Sequence, residues 1–282
     1  MAATTIVSPE TLRERLDDPQ WIVVDCRFNL QDIAAGRRAY EAGHIPGAFF
    51  ADLEHDLAGE KTGTNGRHPL PDPERFAESL RSLGARDETQ LVAYDEGADM
   101  YAARLWFLCR WIGHDAVAVL DGGIAGWRAL GLPISTQAPR TRARGTLRVV
   151  LRPELIVDTR AVFANLREPG MHVLDARAAE RFRGDVEPLD RVAGHIPGAR
   201  NRWFKANFDE RGRFKTPKRL RDEFAPYGPP HEIVHQCGSG VSSAVNALAM
   251  ELAGLHDWRL YPGSWSEWSS DPERPIETGD ER

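Results

Sequence analysis

Residues 234–245 read Val-His-Gln-Cys-Gly-Ser-Gly-Val-Ser-Ser-Ala-Val, and Cys237 is the side chain among them best suited to chemistry. The residues just before it, Glu232, Ile233, Val234 and His235, predict the end of a buried strand. Gly238, Ser239, Gly240, Val241 and Ser242 then make a loop of small residues, and a helix is expected to begin at Ser242 or Ser243. Glycines at 238 and 240 allow positive φ, so successive backbone N–H groups can converge on one point. The helix N-terminus aims its positive end and its unpaired N–H groups the same way. Such a setting draws a thiol below its free pKa of about 8.5, and the thiolate is the nucleophilic form. Cys237 is therefore the candidate nucleophile, and Gly238, Ser239, Gly240, Val241 and Ser242 are the loop that would hold it and its substrate.

The other two cysteines carry no such context. Cys26 ends a predicted strand and Cys109 lies in an apolar helix, so both read as packing residues. Three widely spaced cysteines without a Cys-x-x-Cys pair fit a reducing cytosol, and the nine histidines are not spaced with them as zinc ligands. A chain of 282 residues suits two domains of about 140 each. The net charge of −6 excludes a general nucleic-acid binder. No apolar run is long enough to span a bilayer, and the first residues lack the basic and apolar regions of a secretory leader, so a cytoplasmic protein is expected.

Around the candidate loop, strands alternate with helices. Ser8 with Pro9 and Glu10 predicts a helix start. Residues 21–26, 91–94 and 116–120 predict buried strands, and residues 73–83 predict a helix. Residues 40–48 read as a turn-rich stretch and residues 56–73 as a long loop containing Arg67-His68-Pro69-Leu70-Pro71. Asp99 is expected to cap a helix running to Trp111. This alternation indicates an α/β fold with a mostly parallel sheet in each half, whose ligands bind beyond the carboxyl ends of the strands.

Most of these parts recur. Residues 42–48, Ala-Gly-His-Ile-Pro-Gly-Ala, return letter for letter at 193–199. Val23-Val24-Asp25 returns as Val173-Leu174-Asp175, and the stretch from Gly122 to Trp127 answers that from Gly263 to Trp268. The period is far longer than that of a solenoid, so the chain is read as a tandem pair: residues 1–134, a linker over 135–153, and residues 154–282. The linker holds arginines at 140, 142, 144, 148 and 152 and reads as an exposed basic segment, with pairing to acidic surfaces as the alternative. With the Gly-Trp stretches aligned, Cys237 falls opposite Glu96. A carboxylate cannot act as a thiolate, so the first copy is expected to be catalytically inert.

The two Gly-His-Ile-Pro-Gly-Ala boxes, the Asp-Gly-Gly and Gly-Ser-Trp-Ser-Glu-Trp corners, and Cys-Gly-Ser-Gly-Val-Ser together resemble the tandem-domain rhodanese-like sulfurtransferases. The resemblance runs from about residue 7 to residue 275 and implies two rhodanese-like domains, the first inactive and the second bearing a persulfide-forming cysteine. The uncharged residues after Cys237 are similar to the 3-mercaptopyruvate branch, whereas members that prefer thiosulfate carry basic residues there. By the same resemblance Arg181 would bind the donor carboxylate. A second family arginine lies upstream of the box histidine, where this chain has Pro188, and Arg191 is expected to serve instead. The resemblance also implies a proton relay of Ser239, His68 and an acid, with Asp52 as the acid and Glu54 as its alternative.

The expected reaction passes sulfur from a small-molecule donor through Cys237 to a thiol such as reduced thioredoxin, or to cyanide, without a metal or organic cofactor, in a monomer. A phosphatase with the Cys-x5-Arg arrangement is the nearest different enzyme, but the arginine position holds Ser243. A thiosulfate:cyanide sulfurtransferase and a persulfide carrier without turnover are the alternatives.

Overall fold

The computed structural model describes residues 2–281, which form two compact units. The first comprises residues up to Gly59, residues 70–152 and residues 208–214; the second comprises residues 60–69, residues 153–207 and residues from Lys215 onward. Each unit thus takes one short segment from the other half of the sequence.

The first unit contains β1 (Ile6–Val7), α1 (Pro9–Arg13), β2 (Trp21–Asp25), α2 (Ala35–Ala42), β3 (Phe49–Phe50), α3 (Pro73–Ser82), β4 (Gln90–Tyr94), α4 (Tyr101–Trp111), β5 (Val117–Leu120) and α5 (Gly123–Ala129). Its sheet has the order β1-β5-β4-β2-β3, and every strand pairing is parallel. Parallel strands covered on both faces are apolar along most of their length, and β4, Gln-Leu-Val-Ala-Tyr, is buried at all five positions. Ser8 caps α1 as expected, and Asp72 caps α3 ahead of Pro73. The stretch read as turns begins inside α2, which brings Gly36 against the Arg27 carbonyl where no Cβ would fit. Residues 135–152 pack as part of this unit. Arg142 donates to the Pro19 and Trp21 carbonyls, while Arg144, Arg148 and Arg152 pair with Glu78, Asp87 and Asp115.

The second unit contains α6 (Thr159–Asn165), β6 (His172–Asp175), α7 (Ala179–Arg183), β7 (Arg200–Asn201), α8 (Pro217–Phe224), β8 (Ile233–Gln236), α9 (Ser243–Leu252), β9 (Arg259–Leu260) and α10 (Ser264–Trp268). Its sheet order is β7-β6-β8-β9, again parallel at every pairing, and the counterpart of β1 is reduced to a bridge between Ile156 and Leu260. Helix α9 is buried from Ser243 to Met250, which explains its apolar sequence on nearly every face. Trp265, Trp268, Phe182, Val234 and Ile196 meet in the core.

The repeated sequences build repeated supports. At the end of β2, Arg27 forks onto Asp25 and donates to the Gly43 carbonyl; at the end of β6, Arg177 does the same with Asp175 and Gly194. Both pairs are buried and bidentate, the geometry in which a buried ion pair is best satisfied. The box histidines stack on rings, His44 on Tyr40 and His195 on Phe182, with Nδ1 on a backbone carbonyl 2.8 Å away in each case. The box is a structural corner that ties the strand ends together.

Candidate active site

The loop after β8 is fastened before it can act. The Cys237 carbonyl accepts from the Trp265 amide at 3.0 Å, and the Gly238 carbonyl accepts from Ser266 at 2.8 Å. The Cys237 amide donates to Ser264 Oγ at 3.1 Å, and that hydroxyl donates on to the Tyr261 carbonyl. Ser264 holds a φ of +55°, which costs a non-glycine residue energy; the hydroxyl under the cysteine is the interaction that offsets it. Gly240 has φ +75°, and a Cβ there would lie 2.2 Å from the Pro262 carbonyl oxygen. Only glycine fits. Gly238 departs from expectation. Its φ is not positive; a Cβ at 238 would instead come within 3.0 Å of the Arg67 guanidinium and 3.4 Å of that of Arg181.

The sulfur is buried, with Cys237 1% exposed. Burial pushes its pKa up, yet the Ser242 hydroxyl, the amides of Ser239 and Ser243 and the Ser243 hydroxyl outweigh burial and hold the thiol below its ordinary value. Ser242 is the N-cap residue of α9 and makes no side-chain capping bond, and Ser243 Oγ is buried without a hydrogen-bond partner, so both hydroxyls are available to favour the charged sulfur. Burial drives Cys26 and Cys109 the opposite way, well above the ordinary thiol range. The three buried cysteines thus divide by their local donors, and Cys237 alone of the three is shifted toward the thiolate.

Ser239 Oγ lies 2.7 Å from His68 Nδ1, and both residues are buried. His68 belongs to the segment 60–69 and so to the same unit as the cysteine. Asp52 belongs to the first unit, where its Oδ1 accepts from the amides of Glu54 and His55 and closes its own turn. Arg181 forks onto Glu187 at 2.7 and 3.3 Å and reaches Asp190 at 3.4 Å. Arg191 is exposed. The cation beside Arg181 is Arg67, paired with Asp190 and with its amide on Ser266 Oγ at 3.0 Å. Sequence reasoning passed over Arg67 as loop content, although its place next to His68 was the available signal. Val241 is buried behind the loop, and Ser242 lines it.

The first unit shows what the loop looks like without a thiol. The strand registers pair Asp25 with Tyr94 and Asp175 with Gln236, so the residue equivalent to Cys237 is Asp95. The expectation of Glu96 is corrected: the interval between loop and Gly-Trp corner is one residue shorter in the second half, and aligning on the corner slips the loop by one. The structural register also places Ala98, φ +51°, opposite Gly240, and Gly123, φ +56°, opposite Ser264. Asp95 Oδ1 and Oδ2 accept from the amides of Gly97 and Ala102 at 3.1 and 3.0 Å. At the start of α4, whose N-cap residue is Met100, the expected Asp99 accepts from the Met100 amide at 2.9 Å and Asp95 from the Ala102 amide. Burial, partly countered by these amides and reinforced by nearby Asp25, raises its pKa to about 6. An anion-binding loop is retained there, filled by the protein's own carboxylate.

Two parallel sheets of this order, each with a cradle of amides at one strand end, define the class, and comparison agrees. The rhodanese-like domain family matches the chain twice, over residues 8–130 and 159–271, and the chain belongs to that family. It is 45% identical, over 99% of its length and 100% of the relative's, to a Pseudomonas aeruginosa protein named "Probable 3-mercaptopyruvate sulfurtransferase". An Arabidopsis thaliana relative named thiosulfate/3-mercaptopyruvate sulfurtransferase 1, mitochondrial, is 30% identical over 97% of this chain and 78% of its own length. The crystal structure of SseA from Escherichia coli, described with the rhodanese fold of 3-mercaptopyruvate sulfotransferases, is 35% identical and superposes with a TM-score of 0.80, covering 94% of this chain and 100% of that one. The chain is accordingly an enzyme of the sulfurtransferase class. Among its described residues no helix is long and apolar enough to cross a membrane.

Proposed function

We propose that this enzyme moves sulfane sulfur from 3-mercaptopyruvate through a Cys237 persulfide to a thiol, with release of pyruvate. The observation that carries the reading is the buried Cys237 between β8 and the N-terminus of α9, with the Arg181 guanidinium over the adjacent Gly238; hydroxyls and amides of the loop favour the charged form of its thiol. The thiolate attacks the donor sulfur, a sulfur–sulfur bond forms, and the carbon–sulfur bond breaks with its electron pair leaving on carbon as the pyruvate enolate. The enolate takes a proton and becomes pyruvate, while the cysteine sulfur has been oxidised to the persulfide level. The Ser239–His68 pair is the nearest proton source, and Arg181 orients the donor carboxylate. A thiol such as reduced thioredoxin then attacks the outer sulfur and restores the Cys237 thiolate. The same amides that favour the thiolate favour the persulfide anion. The first unit, with a carboxylate in place of the nucleophile, acts as support.

The test is sulfur transfer by the purified protein from 3-mercaptopyruvate and from thiosulfate, with Cys237→Ser in parallel. The expected outcome is a preference for mercaptopyruvate of about tenfold or more in kcat/KM, equivalent to ~1.4 kcal/mol, and an inactive variant. Preference for thiosulfate would overturn the donor assignment. Persulfide acceptance from a partner without turnover of either donor would overturn the enzymatic cycle.

A further inference from the structure

We propose that Arg67 is a donor-binding residue: with Arg181 it grips the carboxylate of a small α-keto-acid sulfur donor above Gly238, in the place of the second family arginine that this chain lacks. The inference rests on the sulfurtransferase reading and names the group that would orient its substrate.

Gly238 carries the geometry. Its backbone is not in the left-handed region, so what distinguishes the position is what stands over it. The direction in which a Cβ would project is occupied by two guanidinium groups, Arg67 Nη2 at 3.0 Å and Arg181 Nη2 and Nη1 at 3.4 and 3.5 Å. Both cations therefore stand over the residue that follows the nucleophile. In 3-mercaptopyruvate the carboxyl carbon is three bonds from the sulfur, so a donor touching Cys237 Sγ presents its carboxylate at the loop, where planar forked donors bind both oxygens.

Arg67 is held in place rather than swept over the surface. Its amide is bound to Ser266 Oγ, and the preceding Gly66, at φ +86°, lies close to Gly263 and Ser266, where a Cβ would be strained and crowded. Its guanidinium is paired with Asp190, a carboxylate only 5% exposed that also reaches Arg181. Asp190 in turn donates its amide to Glu187 Oε1, which is paired with Arg181. Two carboxylates thus steady two arginines from one side. The charges balance without the thiolate, which suits a monoanionic donor better than a dianion. Arg191, exposed to solvent, has no comparable anchorage.

The experiment measures alkylation of Cys237 by iodoacetate and by iodoacetamide, which attack the same sulfur but differ in carrying a carboxylate. Wild type, Arg67→Gln, Arg67→Lys and Arg191→Gln are compared, alongside steady-state kinetics with 3-mercaptopyruvate. Loss of a charged contact predicts that Arg67→Gln lowers the iodoacetate-to-iodoacetamide rate ratio and raises KM, each about tenfold or more, with Arg67→Lys intermediate. The iodoacetamide rate should stay near that of wild type, which checks that the loop is intact. An unchanged ratio in Arg67→Gln overturns the proposal, as does a fall confined to Arg191→Gln. Because the ratio is read without turnover, it judges Arg67 even if wild type does not process mercaptopyruvate, a failure that would count against the sulfurtransferase cycle alone.

Discussion

Replacing Ser242 with alanine removes the hydroxyl that does most to counter the burial of the Cys237 sulfur. A hydrogen bond to a charged group is worth about 1.5–3 kcal/mol, and one pH unit of pKa corresponds to ~1.36 kcal/mol. The thiol of the variant should therefore titrate about one to two pH units higher than that of wild type. Thiolate becomes scarcer but intrinsically more nucleophilic, with a Brønsted coefficient of about 0.4–0.5. At a pH below both midpoints, alkylation by iodoacetamide should slow by roughly three- to tenfold. The assay is the pH profile of that rate. Cys26 and Cys109 are buried with raised pKa values and contribute nothing in the folded protein. Ser242 makes no capping bond, so helix α9 loses no cap. The linkage has a definite sign. A thiol depressed in the folded state contributes stability that is present above the unfolded pKa of about 8.5 and lost as pH falls through the folded value. Wild type and variant should accordingly converge in acid and separate toward pH 8.5, with wild type the more stable. A variant whose alkylation midpoint matches wild type would refute the cradle as the cause of the depressed thiol.

Two further substitutions probe the frame of the loop. Gly240→Ala must place a Cβ beside the Pro262 carbonyl in a left-handed residue whose backbone alone costs about 1–2 kcal/mol; urea unfolding should show at least that loss, together with a higher Cys237 midpoint, and stability equal to wild type would count against the geometry. Asp95 has a pKa raised by burial to about 6, so the stability it contributes is greatest below its unfolded value of about 3.9 and is lost as pH rises through 6. Asp95→Asn removes that slope, and urea midpoints at pH 4.5 and 7.5 should show wild type losing ground to the variant as pH rises. A gap that stays constant would mean that Asp95 is not the titrating group.

Much of this was legible because it is local. Strand, small-residue loop and helix around Cys237 follow from hydrophobic spacing over a dozen residues, and the duplicated heptapeptide declares the tandem architecture outright. The N-cap Ser8 depends on near neighbours and Gly240 takes the positive φ its loop pattern allows, so pattern and structure agree there. Where reasoning slipped, the fault lay in register. One residue of difference between loop and corner moved the counterpart of Cys237 from Asp95 to Glu96, and only hydrogen-bonded strand pairing resolves such a shift.

The sequence by itself determined the fold class, the family and the candidate nucleophile, since each rests on residues adjacent in the chain or repeated along it. The tertiary structure alone decided which side chains surround that nucleophile. His68 and Arg67 stand about 170 residues before the loop they meet, and no periodicity links them to Ser239 and Gly238. The surroundings of residue 238 are likewise invisible from the chain: two guanidinium groups stand over its Cβ direction, an arrangement that exists only once distant segments have come together.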